Sequence, residues 1–217
     1  RIVVMQAEQI EHLFCIGGTD PTVKLNQKHF IIKENIGHGS YGTVYHCLKK
    51  GSEEEYAVKM IDISNRESEL EKIYQEIEIM KECNHKYIVY LFGSFISERV
   101  LWIVMEFSPI GSVSDLMKIC KRKLTENQIA AILACAVRGL ICLHRNNIIH
   151  RDIKAGNILL FKDAAKLADF GASARILDGK KLKTLAGSSY WMAPEMIKVD
   201  TGYDFKADIW ALGITAI

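Results

Sequence analysis

Near Gly111 the chain changes character, and that change decides most of what it can become. From His29 onward the residues read as strands: Phe30-Ile31-Ile32 with Ile36, then Thr43 to Leu48, Tyr56 to Ile61, Val89 to Phe95 and Val100 to Phe107. Each run is rich in β-branched and aromatic side chains, and Gly51-Ser52 marks a hairpin between the second and third. One helix interrupts them. Leu70, Ile73, Ile77 and Met80 fall at helical spacing, and Ser64-Asn65-Arg66-Glu67 reads as its capping box. After Pro109-Ile110-Gly111 the pattern turns helical. Thr125-Glu126-Asn127-Gln128 caps a helix in which Ile129, Ile132, Leu133, Ala136, Val137, Leu140 and Ile141 make one wide apolar face. Mostly β followed by mostly α predicts an α+β chain of two lobes. A five-stranded β lobe with one helix would span 29–107, and a mainly helical lobe 108–217. A short hinge at Glu106 to Ser108 would join them, with a cleft suited to a ligand. Residues 1–28 carry a helical patch (Ile10, Leu13, Phe14) and a turn cluster, Gly17 to Pro21, and read as an N-terminal extension.

Composition narrows the function classes. The 217 residues, 49% hydrophobic and 25% charged, are ordinary for a globular chain and exclude collagen, coiled coil and disorder as its main character. A net charge of +2 leaves no electrostatic footprint for nucleic acid. The six cysteines, Cys15, Cys47, Cys83, Cys120, Cys135 and Cys142, form no C-x-x-C pair and no zinc spacing. They read as buried small hydrophobes of a reducing compartment, the cytoplasm, with no disulfides. The charge-free apolar stretch Ile129 to Val137 is too short for a bilayer, so no membrane span is expected.

Gly37-His38-Gly39-Ser40-Tyr41-Gly42-Thr43-Val44 is a G-x-G-x-x-G-x-V loop. Glycines let backbone N–H groups approach phosphates without side-chain clash. A dinucleotide fold would need a helix after the glycines, but Thr43 to Cys47 reads as strand, and no G-K-[ST] follows for a P-loop. A loop between antiparallel strands remains. Lys59, within Ala57-Val58-Lys59, is either a solvated edge charge or a point charge held against phosphates. Glu76 and Glu78 are both available to orient it. His150-Arg151-Asp152-Ile153-Lys154-Ala155-Gly156-Asn157 and Asp169-Phe170-Gly171 follow the long helix. Asp152 can take or orient a hydroxyl proton, and Asn157 and Asp169 are hard oxygen donors suited to Mg2+. Together and in this order these motifs are a protein-kinase signature set.

From about Phe30 to its last residue the chain resembles the eukaryotic protein kinase catalytic domain. Within it the chain is similar to the sterile-20-like serine/threonine group, closest to the Hippo branch, on Leu101 to Glu106, Gly111 to Asp115, Ile149 to Leu160, Lys166 to Gly171 and Tyr190 to Glu195. The resemblance implies a bilobal fold and transfer of the γ-phosphoryl of ATP to serine or threonine hydroxyls of protein substrates. It implies that Gly37, Gly39 and Gly42 cover the phosphates and that Val44 and Ala57 pack on adenine. By the same resemblance Ile36, Phe107 and Leu159 would complete the nucleotide contacts. Lys59 would touch the α- and β-phosphates and be held by Glu76, preferred over Glu78 because Met80 then falls one turn later. Met105 would be the gatekeeper and the backbone of Glu106, Phe107 and Ser108 the adenine-binding hinge. Asp152 would be the base, Lys154 would steady the phosphoryl group, and Asn157 and Asp169 would hold Mg2+.

Two departures carry consequences. Gly187-Ser188-Ser189-Tyr190 stands where the group has Gly-Thr-Pro, keeping a hydroxyl at Ser188 and losing a rigid proline at Ser189. The final residues, Asp208 to Ile217, resemble the central helix of the large lobe, so the chain is expected to be a piece of a longer protein or a truncated product. Trp210, Leu212 and Ile214 would then need burial on several sides. Thr184 lies three residues before Gly187, where the sterile-20-like pattern has its activating threonine. A phosphate placed there by an upstream kinase or a second copy would pair with Arg151, and without it the basic loop around Lys180, Lys181 and Lys183 is expected to be mobile. With Lys59, Asp152, Asn157 and Asp169 all present, a nucleotide-binding pseudokinase is disfavoured; an inactive fragment serving as an interaction module is the other alternative.

Overall fold

The computed structural model describes residues 25–217 apart from Ser40, Glu67, Arg122, Asp178 and Val199. The patch at Ile10 to Phe14, Cys15 and the last member of the first capping box lie outside the described residues. The chain divides into two compact units, one running up to Lys81 and including Tyr90–Phe107, the other made of Glu82–Val89 and Ser108–Ile217.

In the first unit, β1 (Phe30–His38), β2 (Thr43–Lys49), β3 (Glu55–Asp62), β4 (Leu91–Ser97) and β5 (Val100–Glu106) form one antiparallel sheet in the order β1-β2-β3-β5-β4. The helix α1 (Leu70–Glu82) connects β3 to β4. Because side chains alternate along a strand, one face collects Cys47, Val58, Trp102, Val104 and Phe95 into an apolar cluster. Phe30 stacks over it, 6.2 Å from Phe95 and 6.3 Å from Trp102 between ring centroids. The opposite face holds the residues expected to meet a nucleotide. Register pairs Val44 with Lys59, His46 with Ala57, and Ala57 with Met105, so Val44, Ala57, Lys59 and Met105 point to the same side.

The start of α1 differs from the expected box. Ser64 does not cap it: its backbone N–H donates to Asp62 Oδ1 at 2.9 Å, a turn closing on the end of β3. The Arg66 carbonyl accepts from Glu69 and Leu70, and the helix proper begins at Leu70. It buries Leu70, Ile73, Glu76, Ile77, Ile79 and Met80.

The second unit is built on α3 (Glu126–Arg145), which follows a short helix, α2 (Val113–Cys120). Thr125 and Gln128 close the α3 capping box reciprocally, at 2.9 and 3.3 Å. By length and composition alone α3 is apolar enough to cross a membrane. In this unit it packs on the strands β6 (Ile148–Ile149) and β8 (Ala165–Leu167), burying Ala136, Gly139, Leu140 and Leu143, with Arg138 set over the Tyr87 ring at 5.5 Å. Gly139 is required there, since a Cβ would stand 2.8 Å from the Tyr87 carbonyl oxygen. The apolar face is wider than what is covered, as Val137 and Ile141 are exposed. Two further hairpin-like pairs, β7 (Ile158–Leu160) with β8 and β6 with β9 (Ala174–Arg175), frame the loops between them. The helices α4 (Pro194–Ile197) and α5 (Lys206–Thr215) follow. α5 is not buried all round in the described residues: Ala207, Asp208, Ala211 and Leu212 face inward, while Ile209 and Trp210 are exposed.

Cys47 and Cys83 are buried, and burial pushes their thiols up to about 11 and about 12. Against the expected burial, Cys135 and Cys142 are half-buried and Cys120 is exposed, and no disulfide joins the described cysteines.

Candidate active site

The first unit supplies a glycine loop and a buried ion pair. Gly39 N donates to the Gly42 carbonyl at 2.8 Å, closing the loop between β1 and β2. Gly42 sits hard against β3, where a Cβ would come within 2.2 Å of the Met60 oxygen, whereas one on Gly37 would meet nothing within 4 Å. Ile36 lies at the irregularity between Asn35 and Gly37, half exposed, and Asn35 Oδ1 accepts from Gly37 N at 2.9 Å. Lys59 Nζ donates to Glu76 Oε1 at 2.6 Å, both side chains being 4% exposed. Glu78 instead pairs with Lys81 at 3.6 Å. The buried pair fixes the lysine on the face that carries Val44, Ala57 and Met105. Glu106 closes β5, its N–H donating to the Tyr90 carbonyl at 2.9 Å, and Phe107 stacks on His46 at 4.1 Å.

The second unit supplies a cluster of side chains around Asp152. Lys154 Nζ donates to Asp152 Oδ2 at 2.7 Å and to Ser188 Oγ at 2.8 Å. Ser188 N donates to Asp152 Oδ1 at 2.8 Å, and Asn157 Nδ2 to the Asp152 carbonyl and Oδ2 at 2.8 and 2.9 Å. Burial raises the Asp152 carboxyl, but the bonds from Lys154 and Ser188 outweigh it and hold the group below its usual value. The Ser188 hydroxyl enters this cluster by accepting from Lys154, while its backbone N–H meets Asp152 directly. Ser189, in place of proline, opens a single helical turn, Ser189–Trp191. Gly187 has φ +103, and a Cβ on it would stand 2.1 Å from the Arg151 carbonyl oxygen, so only glycine fits.

Asp169 is half-buried and left-handed at φ +62. The preceding Ala168 N donates to the Asn157 carbonyl at 3.0 Å, which sets Asp169 beside the Asn157 segment. Leu159, on β7, bridges to Ser112. Ser108 uses its side chain as a brace, Oγ donating to the Leu160 carbonyl at 2.6 Å.

Asp208, His150 and Tyr203 were not singled out from the sequence. Asp208 is fully buried. Its carboxylate accepts from His150 N (2.9 Å), Arg151 N (2.8 Å) and the His144 ring (2.8 Å), anchoring the loop just before Asp152. Asp208 is the sole acidic residue of α5, and an acid in an otherwise apolar helix is the signal that could have found it. His150 takes Asp152 N on Nδ1 (3.3 Å) and meets the Ala168 carbonyl with Nε2 (3.1 Å), which places its proton on Nε2.

The loop around Thr184 is held rather than free of Arg151. Arg151 Nη1 donates to Thr184 Oγ1 at 2.8 Å and to Tyr203 Oη at 3.0 Å, and the exposed Lys180, Lys181 and Lys183 point to solvent. A neutral hydroxyl accepts from the arginine, so this contact is made without a phosphate.

An antiparallel five-stranded sheet with one helix, a Lys–Glu pair on the face away from its aromatic cluster and an Asp–Lys–Asn cluster on a loop after a long helix define a protein kinase catalytic domain. The family model described as protein kinase domain matches residues 30–217, and the chain belongs to that family. It is similar to the serine/threonine-protein kinase hippo of Drosophila melanogaster, 47% identical over 193 residues. That match covers 88% of this chain and 28% of the relative's length.

Proposed function

We propose that this chain is the catalytic core of an ATP-dependent serine/threonine protein kinase that acts in cytoplasmic signal transduction on protein substrates. Protein kinases in general use ATP and Mg2+. The observation that carries the reading is Lys154 bridging Asp152 and Ser188 while Asn157 braces Asp152 from the other side. A substrate hydroxyl presented to Asp152 has its proton accepted there as its oxygen bonds to the γ-phosphorus and the bond to the ADP oxygen breaks. Lys154 offsets the charge that develops on the transferred group, and its tether to Asp152 keeps both groups in one geometry. Lys59, fixed by Glu76, contacts the α- and β-phosphates, and the glycine loop supplies backbone N–H donors to them.

The residues present fit a divalent cation that arrives with the nucleotide. Asn157 Nδ2 is committed to Asp152, which turns its hard oxygen the other way, and Asp169 follows Ala168, whose N–H is held by the Asn157 carbonyl. Two protein ligands suffice for Mg2+, which keeps waters and phosphate oxygens. When bound, the cation neutralises phosphate charge. Phosphorylation of Thr184, by an upstream kinase or a second copy, places about −1.5 to −2 charges and three acceptor oxygens against Arg151.

Transfer of labelled γ-phosphate from ATP to a basic protein tests the reading, with label expected on serine and threonine only. A nucleotide-dependent melting shift without transfer would instead mark a pseudokinase, and neither signal would mark an interaction module.

A further inference from the structure

The segment that carries Thr184 is fastened by groups that lie well outside the catalytic loop. Tyr203 is buried, 2% exposed, in a cluster with Ile149, Ile176, Ala193, Met196 and Ala207, yet its hydroxyl reaches the loop. That hydroxyl donates to the Thr184 carbonyl at 2.6 Å and accepts from Arg151 Nη1 at 3.0 Å. The Tyr203 backbone makes a two-bond antiparallel bridge with Leu182, at 2.9 and 3.0 Å. Gly202 adds an independent sign of close approach. It is left-handed at φ +63, and a Cβ there would stand 2.8 Å from Lys181 Cβ and 3.0 Å from the Leu182 oxygen. Arg151 Nη1 thus has two acceptors, the Thr184 and Tyr203 hydroxyls, and Tyr203 closes the triangle through the Thr184 carbonyl.

We propose that Tyr203 is a positioning residue: with Gly202 it clasps residues 181–184 and holds the Thr184 hydroxyl on Arg151 before any phosphate is added. The clasp rests on the reading of Thr184 as the regulatory site and goes beyond it. Part of the order that a phosphate would impose is already in place, so the unphosphorylated protein keeps a basal activity. The phosphate then strengthens a contact whose geometry exists, and the entropy of ordering the loop is not met by the phosphate alone.

Tyr203→Phe removes the hydroxyl and keeps the ring in its cluster. In the unphosphorylated protein, trypsin cleavage after Lys181 and Lys183 should rise about tenfold, the scale of roughly one net hydrogen bond, and basal kcat should fall by a similar factor. Stoichiometric phosphorylation of Thr184 should restore kcat to within about threefold of the parent, because the Arg151–phosphate contact then holds the loop. A merely structural tyrosine would not be rescued in this way. Gly202→Ala should open the same cleavage sites with the hydroxyl intact. Unchanged cleavage in Tyr203→Phe overturns the clasp, as does a loss that phosphorylation leaves uncorrected. Thr184→Ala, run alongside, separates the two readings. Full activity in that variant sinks the phosphorylation switch, whereas low activity together with parental cleavage in Tyr203→Phe sinks the clasp alone.

Discussion

The glycine loop of the first unit and the Asp152 loop of the second, proposed to serve phosphates and the acceptor hydroxyl, are held by opposite means. Among the described residues the glycine loop is held by Gly39 N on the Gly42 carbonyl and Gly37 N on Asn35 Oδ1, with open space beside Gly37, where a Cβ would meet nothing. The Asp152 loop is tied by side chains at several points: His150 and Arg151 to Asp208, Asp152 to Lys154 and Ser188, Asn157 to Asp152. Phosphates are large, multiply charged and shared among many donors, so a compliant backbone cradle suffices. Proton acceptance at one hydroxyl needs a carboxylate fixed within a few tenths of an ångström, and side-chain networks provide that.

The largest break in this contrast should come from Asp208. Asp208→Ala leaves two backbone N–H groups and the His144 ring without their buried acceptor, so a loss of about 3–5 kcal/mol in unfolding free energy is expected, with activity gone. Asp208→Asn keeps the shape and should cost less; denaturant melts of the two variants measure the difference. An alanine variant as stable as the parent would show that the catalytic loop is not anchored through this carboxylate.

Next come the glycines, which divide within a single loop. Gly42→Ala forces a methyl group into the Met60 carbonyl and should destabilise by about 1–3 kcal/mol and weaken ATP binding. Gly37→Ala enters open space and should stay within about 0.5 kcal/mol of the parent. Equal effects would mean that the loop is not pinned at its β2 end.

The smallest effect is in pH. Asp152 is held below the usual carboxylate value, so its ionised contacts contribute stability that is fully present above the unfolded value near ~4 and lost as pH falls through the lower folded value. The stability gap between parent and Asp152→Asn should be level above about pH 5 and shrink below ~4. A gap that widens on acidification would reverse the sign of the shift.

Legibility in the sequence follows the same division. The strands, the glycine loop and the Lys59–Glu76 pair are written in local pattern and spacing, and register alone aligns Val44, Ala57, Lys59 and Met105. The start of α1 departs from the Ser64 capping pattern because Asp62, two residues before Ser64, captures its N–H, a competition between turn and cap that spacing does not resolve. Asp208 and Tyr203 act 57 and 19 residues from Arg151 and Thr184, their partners in the chain, and no local pattern records such pairings. The α3 stripe overstated burial at Val137 and Ile141 because periodicity marks a face and not how much of it is covered.

In the proposed function Asp152 serves the acceptor hydroxyl while Asn157 and Asp169 serve the nucleotide. ATP affinity in the presence of Mg2+ and the single-turnover transfer rate, measured together on Asp152→Asn and Asp169→Asn, test it most directly. Asp152→Asn should bind ATP within about twofold of the parent and transfer at least ~10²-fold more slowly. Asp169→Asn should lose Mg2+-dependent affinity as well as rate. Equal loss of ATP affinity in both variants, or transfer at the parental rate in Asp152→Asn, would contradict the division of roles.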